Sequence, residues 1–266
     1  MFVVKVPGIN GEKSEGCERA GNAIIESLRE IYSNEQGILI DVDLLDLEEI
    51  HLDNSNLKLT NELIYKNSLE TFETKPKTIF LGGDHSITYS IAKAFLDNCR
   101  NTKRESCLIV FDSHPDCKET KEKYPDNRQW LRKLIEDGFP KQNILLVGVR
   151  NSSREEITFL KQNNIRMITM NQLLEDLQDT CDIIMEFSSR KELYLSIDVD
   201  VIDPVFVPGT GNPEPGGLTN RQFVYLIQRI NKVKNLKAID IVEINAVKDK
   251  EGLSVKFGAK ILSEFL

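Results

Sequence analysis

Histidine is scarce in this chain, with 3 in 266 residues, and there is a single tryptophan. Long apolar runs are absent altogether. Nothing approaches the roughly 18 to 20 residues that a membrane helix needs, so no membrane partner is expected. The first residues, MFVVKVPGINGEKSEG, show neither the basic nor the apolar region of a signal peptide, which predicts an unexported, cytoplasmic protein. Basic residues are in deficit, 34 Lys and Arg against 42 Asp and Glu, for a net charge of −8. That surplus argues against nucleic acid held through counterion release and makes cations the natural ligands. The five cysteines (Cys17, Cys99, Cys107, Cys117 and Cys181) are odd in number and contain no C-x-x-C. Neither a disulfide framework nor a thiolate zinc site is implied, and a reducing compartment is.

What is present is an ordinary globular composition, 40% apolar and 29% charged, long enough for one large domain or two small ones. Short β-branched runs alternate with amphipathic stretches from end to end, the pattern of a mostly parallel sheet covered by helices on both faces. Eight strands are predicted, at 2–7, 37–43, 77–82, 106–112, 143–149, 165–169, 192–198 and 237–243. Helical periodicity is clearest at 86–98 and 219–234, and capping boxes mark starts at Ser153 with Glu156 and Thr219 with Gln222. Seven of the ten residues in PGTGNPEPGG (208–217) are Pro or Gly, so this segment is a stiff loop. No linker interrupts the alternation, and one domain over 1–266 is expected.

Three strand ends collect the unusual residues: Gly83-Asp84-His85-Ser86, Asp112-Ser113-His114-Pro115-Asp116 and Asp198-Val199-Asp200 running to Asp203-Pro204. In an extended chain residues two apart face the same way, so Asp112, His114 and Asp116 can converge, as can Asp198 and Asp200. Four carboxylates that close would repel strongly in a partly buried cleft, and two divalent cations would cancel their charge. The six candidate ligands are therefore His85, Asp112, His114, Asp116, Asp198 and Asp200. This nitrogen and oxygen set suits Mn(II) or another borderline-to-hard ion, with zinc also open. A paired-metal site lowers the pKa of a bound water and generates a nucleophile. His51 reads as a solvated loop residue, Asp84 and Asp203 as turn residues, Cys117 as a bystander, and Lys118 to Lys123 as a solvated face.

The motifs G-G-D-H-S, D-x-H-x-D and S-x-D-x-D-x-x-D-P, in this order, resemble those of the ureohydrolase (arginase and agmatinase) family, and SIDVDVIDPVFVPGTGNPEPGGLT (196–219) is similar to that family's signature. The resemblance covers essentially the whole chain. It implies a three-layer α/β/α fold around an eight-stranded parallel sheet, two Mn2+ ions, and a trimer or hexamer. One ion would be held by His85, Asp112, Asp116 and Asp198, the other by Asp112, His114, Asp198 and Asp200. In the family a bridging hydroxide attacks a guanidinium carbon, giving urea and an amine. Glu243, in Val242-Glu243-Ile244-Asn245, matches the glutamate that pairs with the guanidinium, as a carboxylate can accept two N–H groups from a planar cation.

The chain departs from the family where a His-Gly motif usually follows D-x-H-x-D, since Asn127-Arg128 stands there instead. An amide cannot pass a proton to a leaving amine, a contribution typically worth about 10²- to 10⁴-fold. The formiminoglutamase branch also lacks this histidine. Ala246 replaces a frequent proline. The segments 196–219 and 130–138 read most like agmatinases, so an agmatinase-like hydrolase of a small guanidino compound is expected. An arginase, a formiminoglutamase-type enzyme and a non-catalytic metal-binding relative are the alternatives. Arg128, if it faces the cleft, favours a substrate carrying a carboxylate.

Overall fold

A computed structural model describes residues 1–266. In chain order the elements are β1 (Phe2–Val6), α1 (Ala20–Leu28), β2 (Asp46–Glu49), α2 (Leu57–Thr74), β3 (Thr78–Gly82), α3 (Ile87–Asn101), β4 (Ser106–Phe111), α4 (Trp130–Glu136) and β5 (Ile144–Val149). There follow α5 (Arg154–Asn163), β6 (Arg166–Thr169), α6 (Met170–Glu175), α7 (Leu177–Phe187), β7 (Glu192–Asp198), α8 (Asn220–Ile230), β8 (Leu236–Val242) and α9 (Leu253–Phe265). The eight strands form one sheet in the order β2-β1-β3-β8-β7-β4-β5-β6, with every neighbouring pair parallel.

Alternation along the central strands divides the core in two. Ile79, Leu81, Cys107, Ile109 and Phe111 pack beneath α1 and α6 to α9, while Phe80, Leu108, Val110 and Tyr194 face α2 to α5. Because both faces are covered, β3, β4 and β5 are buried along their whole length and read as unbroken apolar runs. This is a three-layer α/β/α fold.

One expected strand is misplaced. Residues 37–43 form no strand of the sheet, because the Asn34 side chain accepts N–H bonds from Gln36 and Ile38 and folds the segment into a tight loop. Asp41 then caps the short turn Val42–Leu44. The strand is instead Asp-Leu-Glu-Glu at 46–49, an edge position bonded only to β1, where charge blunts an open edge. The helix expected at 219–234 ends at Ile230, and its stripe continues through a tight turn in which Val233 N–H bonds the Ile230 carbonyl. Both expected capping boxes form, and a third joins Thr169 with Gln172 at the start of α6.

The loop after β1 is stitched to the end of β3 by Gly83 N–H to Val6 O and Asp84 N–H to Gly8 O. The approach is so close that a Cβ on Gly83 would sit 1.9 Å from the Gly8 carbonyl oxygen. Backbone cannot yield as a flexible side chain can. Gly83→Ala is therefore expected to lower stability by about 2 to 3 kcal/mol, read from the denaturant midpoint at unchanged m-value.

Candidate metal centre

The sheet order sets the carboxyl ends of β3, β8, β7 and β4 side by side, where ligands of parallel sheets bind. His85 follows β3, Glu243 follows β8, Asp198 ends β7, and Asp112 follows β4. All six expected ligands gather here, although not through strand alternation. Past Phe111 the chain leaves the sheet, and Asp116 adopts left-handed backbone at φ 50° with Trp130 Nε1 donating to its Oδ2 at 2.9 Å. Asp112 and Asp116 thereby meet at His85, while His114 turns away to Asp200. Asp200 is carried by a short turn, Val199–Val201, capped by Asp198 Oδ1 at 2.8 Å.

Two clusters result, sharing Asp112. His85 Nδ1 lies 3.1 Å from Asp112 Oδ2, 3.0 Å from Asp116 Oδ2 and 3.2 Å from Asp198 Oδ2. His114 Nδ1 lies 2.9 Å from Asp200 Oδ2 and 3.6 Å from Asp112 Oδ1. The four aspartates are buried and no Lys or Arg pairs with them. His85 Nδ1 and Asp112 Oδ2 are buried and close but not aligned for a hydrogen bond. These two orphaned atoms, and in each cluster an imidazole nitrogen within 4.8 Å of two carboxylate oxygens, fit a divalent cation in each cluster.

Burial opposes a charge on His85, yet the close carboxylates of Asp112, Asp116 and Asp198 outweigh it and hold the imidazole well above its ordinary range. His114 is raised to about 12, again against burial, by Asp112 and Asp200. Asp198 is raised by burial first and then by the charges of Asp200 and Asp112. In the metal-free protein protons thus stand in for cations.

Behind His85 runs a chain of donors that sequence reasoning missed. Asp240, fully buried in β8, accepts from Ser196 Oγ at 2.7 Å, Ile197 N at 3.2 Å, Thr88 Oγ1 at 2.7 Å and Tyr194 OH at 2.5 Å. The Ser196 proton is committed to Asp240, so Ser196 Oγ accepts from His85 Nε2–H at 3.0 Å. A neutral His85 is then the tautomer whose bare Nδ1 faces the carboxylates, as a metal ligand requires. Asp240 as the lone acid inside the apolar run AIDIV (238–242) was the available signal. On the other side Arg150 donates to the carbonyls of Asp200 at 2.7 Å and Pro215 at 3.1 Å, tying the Asp200 turn to the Pro/Gly loop.

Glu243, 3% exposed, sits in left-handed backbone at φ 64°, its N–H bonded to Gly83 O. Strained non-glycine backbone of this kind concentrates at functional positions. Burial, then the charge of Asp84, raises its carboxyl to about 8. Asn127, also buried, donates from Nδ2 to Glu243 Oε1 at 2.9 Å. The cleft above has a volume of about 290 Å³ and no hydrophobic lining residue. Arg128 does line it, with Lys118, Asn151, Ser152 and Asn212, so the 118–123 segment is not wholly a solvated face.

The remaining residues keep structural roles. Asp84 accepts from the N–H groups of Asn10 and Gly11, both at 2.7 Å, and Asp203 from those of Val205 and Gly216. The His51 side chain is 93% exposed. Burial, then Asp116, pushes the Cys117 thiol far up, which leaves no thiolate near neutral pH.

Fold and site together define a member of the ureohydrolase class. The Arginase family model matches residues 2–266, and the chain belongs to that family. It is similar to a 32.2 kDa protein from the hmfB 3′ region of Methanothermus fervidus, 30% identical over 239 residues that cover 89% of this chain and 79% of the relative. The agmatinase of Bacillus subtilis is 26% identical, over 86% of this chain and 76% of its own. The solved formimidoylglutamase of Bacillus subtilis superposes with a TM-score of 0.89 at 26% identity, over 99% of this chain and 85% of that one.

Two predictions follow from the charge balance and the relay. The raised His85, His114 and Asp198 hold protons that the unfolded chain releases, so their stabilisation of the metal-free protein is lost as pH rises. The melting temperature of metal-stripped protein should fall from pH 6.5, the ordinary histidine value, toward pH 9, and Mn2+ should raise it more at the higher pH. A flat or rising profile without metal would count against this balance. Ser196→Ala should weaken Mn2+ binding about 10- to 100-fold in a chelator competition.

Proposed function

We propose that this protein is a two-metal hydrolase that cleaves the C–N bond of a small guanidino compound, releasing urea and an amine, within one domain over residues 1–266. One ion is assigned to His85, Asp112, Asp116 and Asp198, the other to Asp112, His114, Asp198 and Asp200, and Mn2+ suits this donor set. When bound, the pair supplies a water ionised near neutral pH. The observation that carries the reading is Glu243. It is a buried carboxylate beside both clusters that has no cationic side-chain partner, and no protein group donates to its Oε2. A planar guanidinium would supply the missing charge and donors, and would hold the carboxyl ionised. The protein's part is thus to orient the substrate carbon over the clusters. Asn127 carries no proton to the leaving amine.

The cleft wall bears on the substrate's tail. Lys118 and Arg128 line it beside amides, hydroxyls and Glu156, whose carboxylate is taken up by the N–H groups of Cys117 and Ser153, although Arg128 is shared with Asp126 at 3.2 Å and Glu12 at 3.5 Å. An amine tail such as that of agmatine would bring like charge to this wall, whereas a carboxylate would be attracted. We therefore favour an anionic or amino-acid tail. The agmatinase-like reading is second, supported by the 196–219 signature. The cytoplasmic setting is supported by five buried cysteines without a disulfide, and a trimer or hexamer is carried over from the family.

The test is urea release by Mn2+-reconstituted protein from arginine, guanidinobutyrate, guanidinopropionate and agmatine, with formamide release from formiminoglutamate beside it. Turnover is expected with a carboxylate-bearing compound and none in Asp198→Ala. Arg128→Ala should raise KM for that compound by roughly tenfold, the scale of a charged hydrogen bond, and leave agmatine unaffected. Silence across the panel with both metals bound would favour the non-catalytic alternative.

A further inference from the structure

Glu243 is held by unequal means at its two oxygens. Oε1 accepts two protein donors, the His85 backbone N–H at 3.0 Å and Asn127 Nδ2 at 2.9 Å, whereas Oε2 accepts none. The first donor belongs to the same strand-end framework as Glu243, whose own N–H is bonded to Gly83 O. The second comes from the loop before α4, 116 residues away in sequence. It is the only side chain that fixes the Glu243 carboxylate.

The Asn127 amide is oriented by the ionised form of Glu243 that pairs with a guanidinium. Flipped, its Oδ1 would oppose that carboxylate's Oε1, acceptor against acceptor. As it stands, Oδ1 is buried without any donor. It packs against Gly11, where a Cβ would lie 2.5 Å from Oδ1 and 2.4 Å from Ser14 Oγ, itself buried and unpartnered. The residue thus leaves one polar atom unsatisfied, wedged under a glycine, while its other end meets Glu243. A group with only a packing role would not need a donor at that end.

We propose that Asn127 is a positioning residue for substrate binding: its Nδ2 pins Oε1 of Glu243 so that Oε2 stays presented to the cleft for an N–H of the guanidinium. This rests on Glu243 as the guanidinium acceptor. Position 127 then acts by geometry alone, because an amide neither gains nor loses a proton across the working pH range. Its loss should appear as weaker substrate binding and not as a slower proton transfer.

Two variants of the Mn2+-loaded protein test this. Asn127→Asp keeps the shape but removes the donor and adds like charge, and Asn127→Ala removes both donor and bulk. With the substrate that wild type turns over, both are expected to raise KM at least tenfold and to change kcat less than threefold, and Asn127→Ala, which adds no titratable group, to leave the pH profile of kcat in place. A kcat loss at unchanged KM, or a kcat profile displaced in Asn127→Ala, would overturn the proposal in favour of a proton-transfer role. Equal losses in KM and kcat together with a lowered melting temperature in both variants would overturn it in favour of a merely structural one. Crystal structures of wild type and Asn127→Ala give a readout that needs no turnover. Oε2 should leave its cleft-facing position in the variant, and a Glu243 that stays in place overturns the proposal. If wild type turns over nothing, the functional reading fails separately, while that comparison still decides the role of Asn127.

Discussion

Repulsion among carboxylates is the constraint on which the site depends. Asp84, Asp112, Asp116, Asp198, Asp200 and Glu243 are all 6% exposed or less, and only two imidazoles stand among them. Like charges so crowded in a low-dielectric pocket require donors or cations. The backbone supplies many of them. Ser113 N–H bonds Asp200, His114 N–H bonds Asp112, and Asp200 N–H bonds Asp198, so each loop that carries an acid also turns an amide toward a neighbouring one. Asp116 and Glu243 lie beyond the strand ends in left-handed backbone, where the chain leaves the regular ladder. The sheet locates the acids, and their mutual repulsion dictates how the loops beyond it must fold.

How much of this could be read in the sequence depended on burial. Strands covered on both faces announce themselves as apolar runs, and six were placed on that signal, while the half-exposed edge strand β6 was placed by the short run Ile-Arg-Met-Ile-Thr. β2 escaped because an edge strand needs no apolar face, and Asp-Leu-Glu-Glu has the composition of a loop, while Ile38 to Ile40 looked like a strand of the sheet and pairs only locally, through an isolated antiparallel bridge from Leu39 to Ser33. The ligand candidates were legible because histidine is rare and both clustered ones stand beside acids. The reason offered for their convergence was wrong: alternation would have grouped Asp112 with His114 and Asp116, whereas the left-handed Asp116 and the turn at Asp200 sort them into two clusters. Ser196, Asp240 and Trp130 were read only as parts of their elements, because long-range pairing assigns their roles and leaves little local trace.

The cleft and the family membership answer different questions. Membership follows from the whole chain and from ordered motifs that build the floor of the site. The wall of the cleft is different, since Arg128, Lys118, Asn151 and Asn212 sit on loops free to vary without disturbing the sheet. With no apolar lining, the wall offers a substrate hydrogen bonds and charge rather than hydrophobic burial. Selectivity of that kind comes from unsatisfied polar groups when the wrong compound enters.

The place of β8 in the sheet carries a consequence for how the protein comes into being. β8, the eighth strand in chain order, is inserted between β3 and β7, near the middle of the sheet. Until it arrives the chain can hold only two partial sheets, β2-β1-β3 and β7-β4-β5-β6. His85 belongs to the first, and the four aspartate ligand candidates with His114 belong to the second. β8 must therefore be made before the two halves of the centre meet. A nascent chain stalled short of β8 would carry His85 and the acids on separate partial sheets, and any ion it captured would be held by an unfinished site. Such long-range closure makes the final strand the slow and decisive one, with Glu243 arriving as part of the same event.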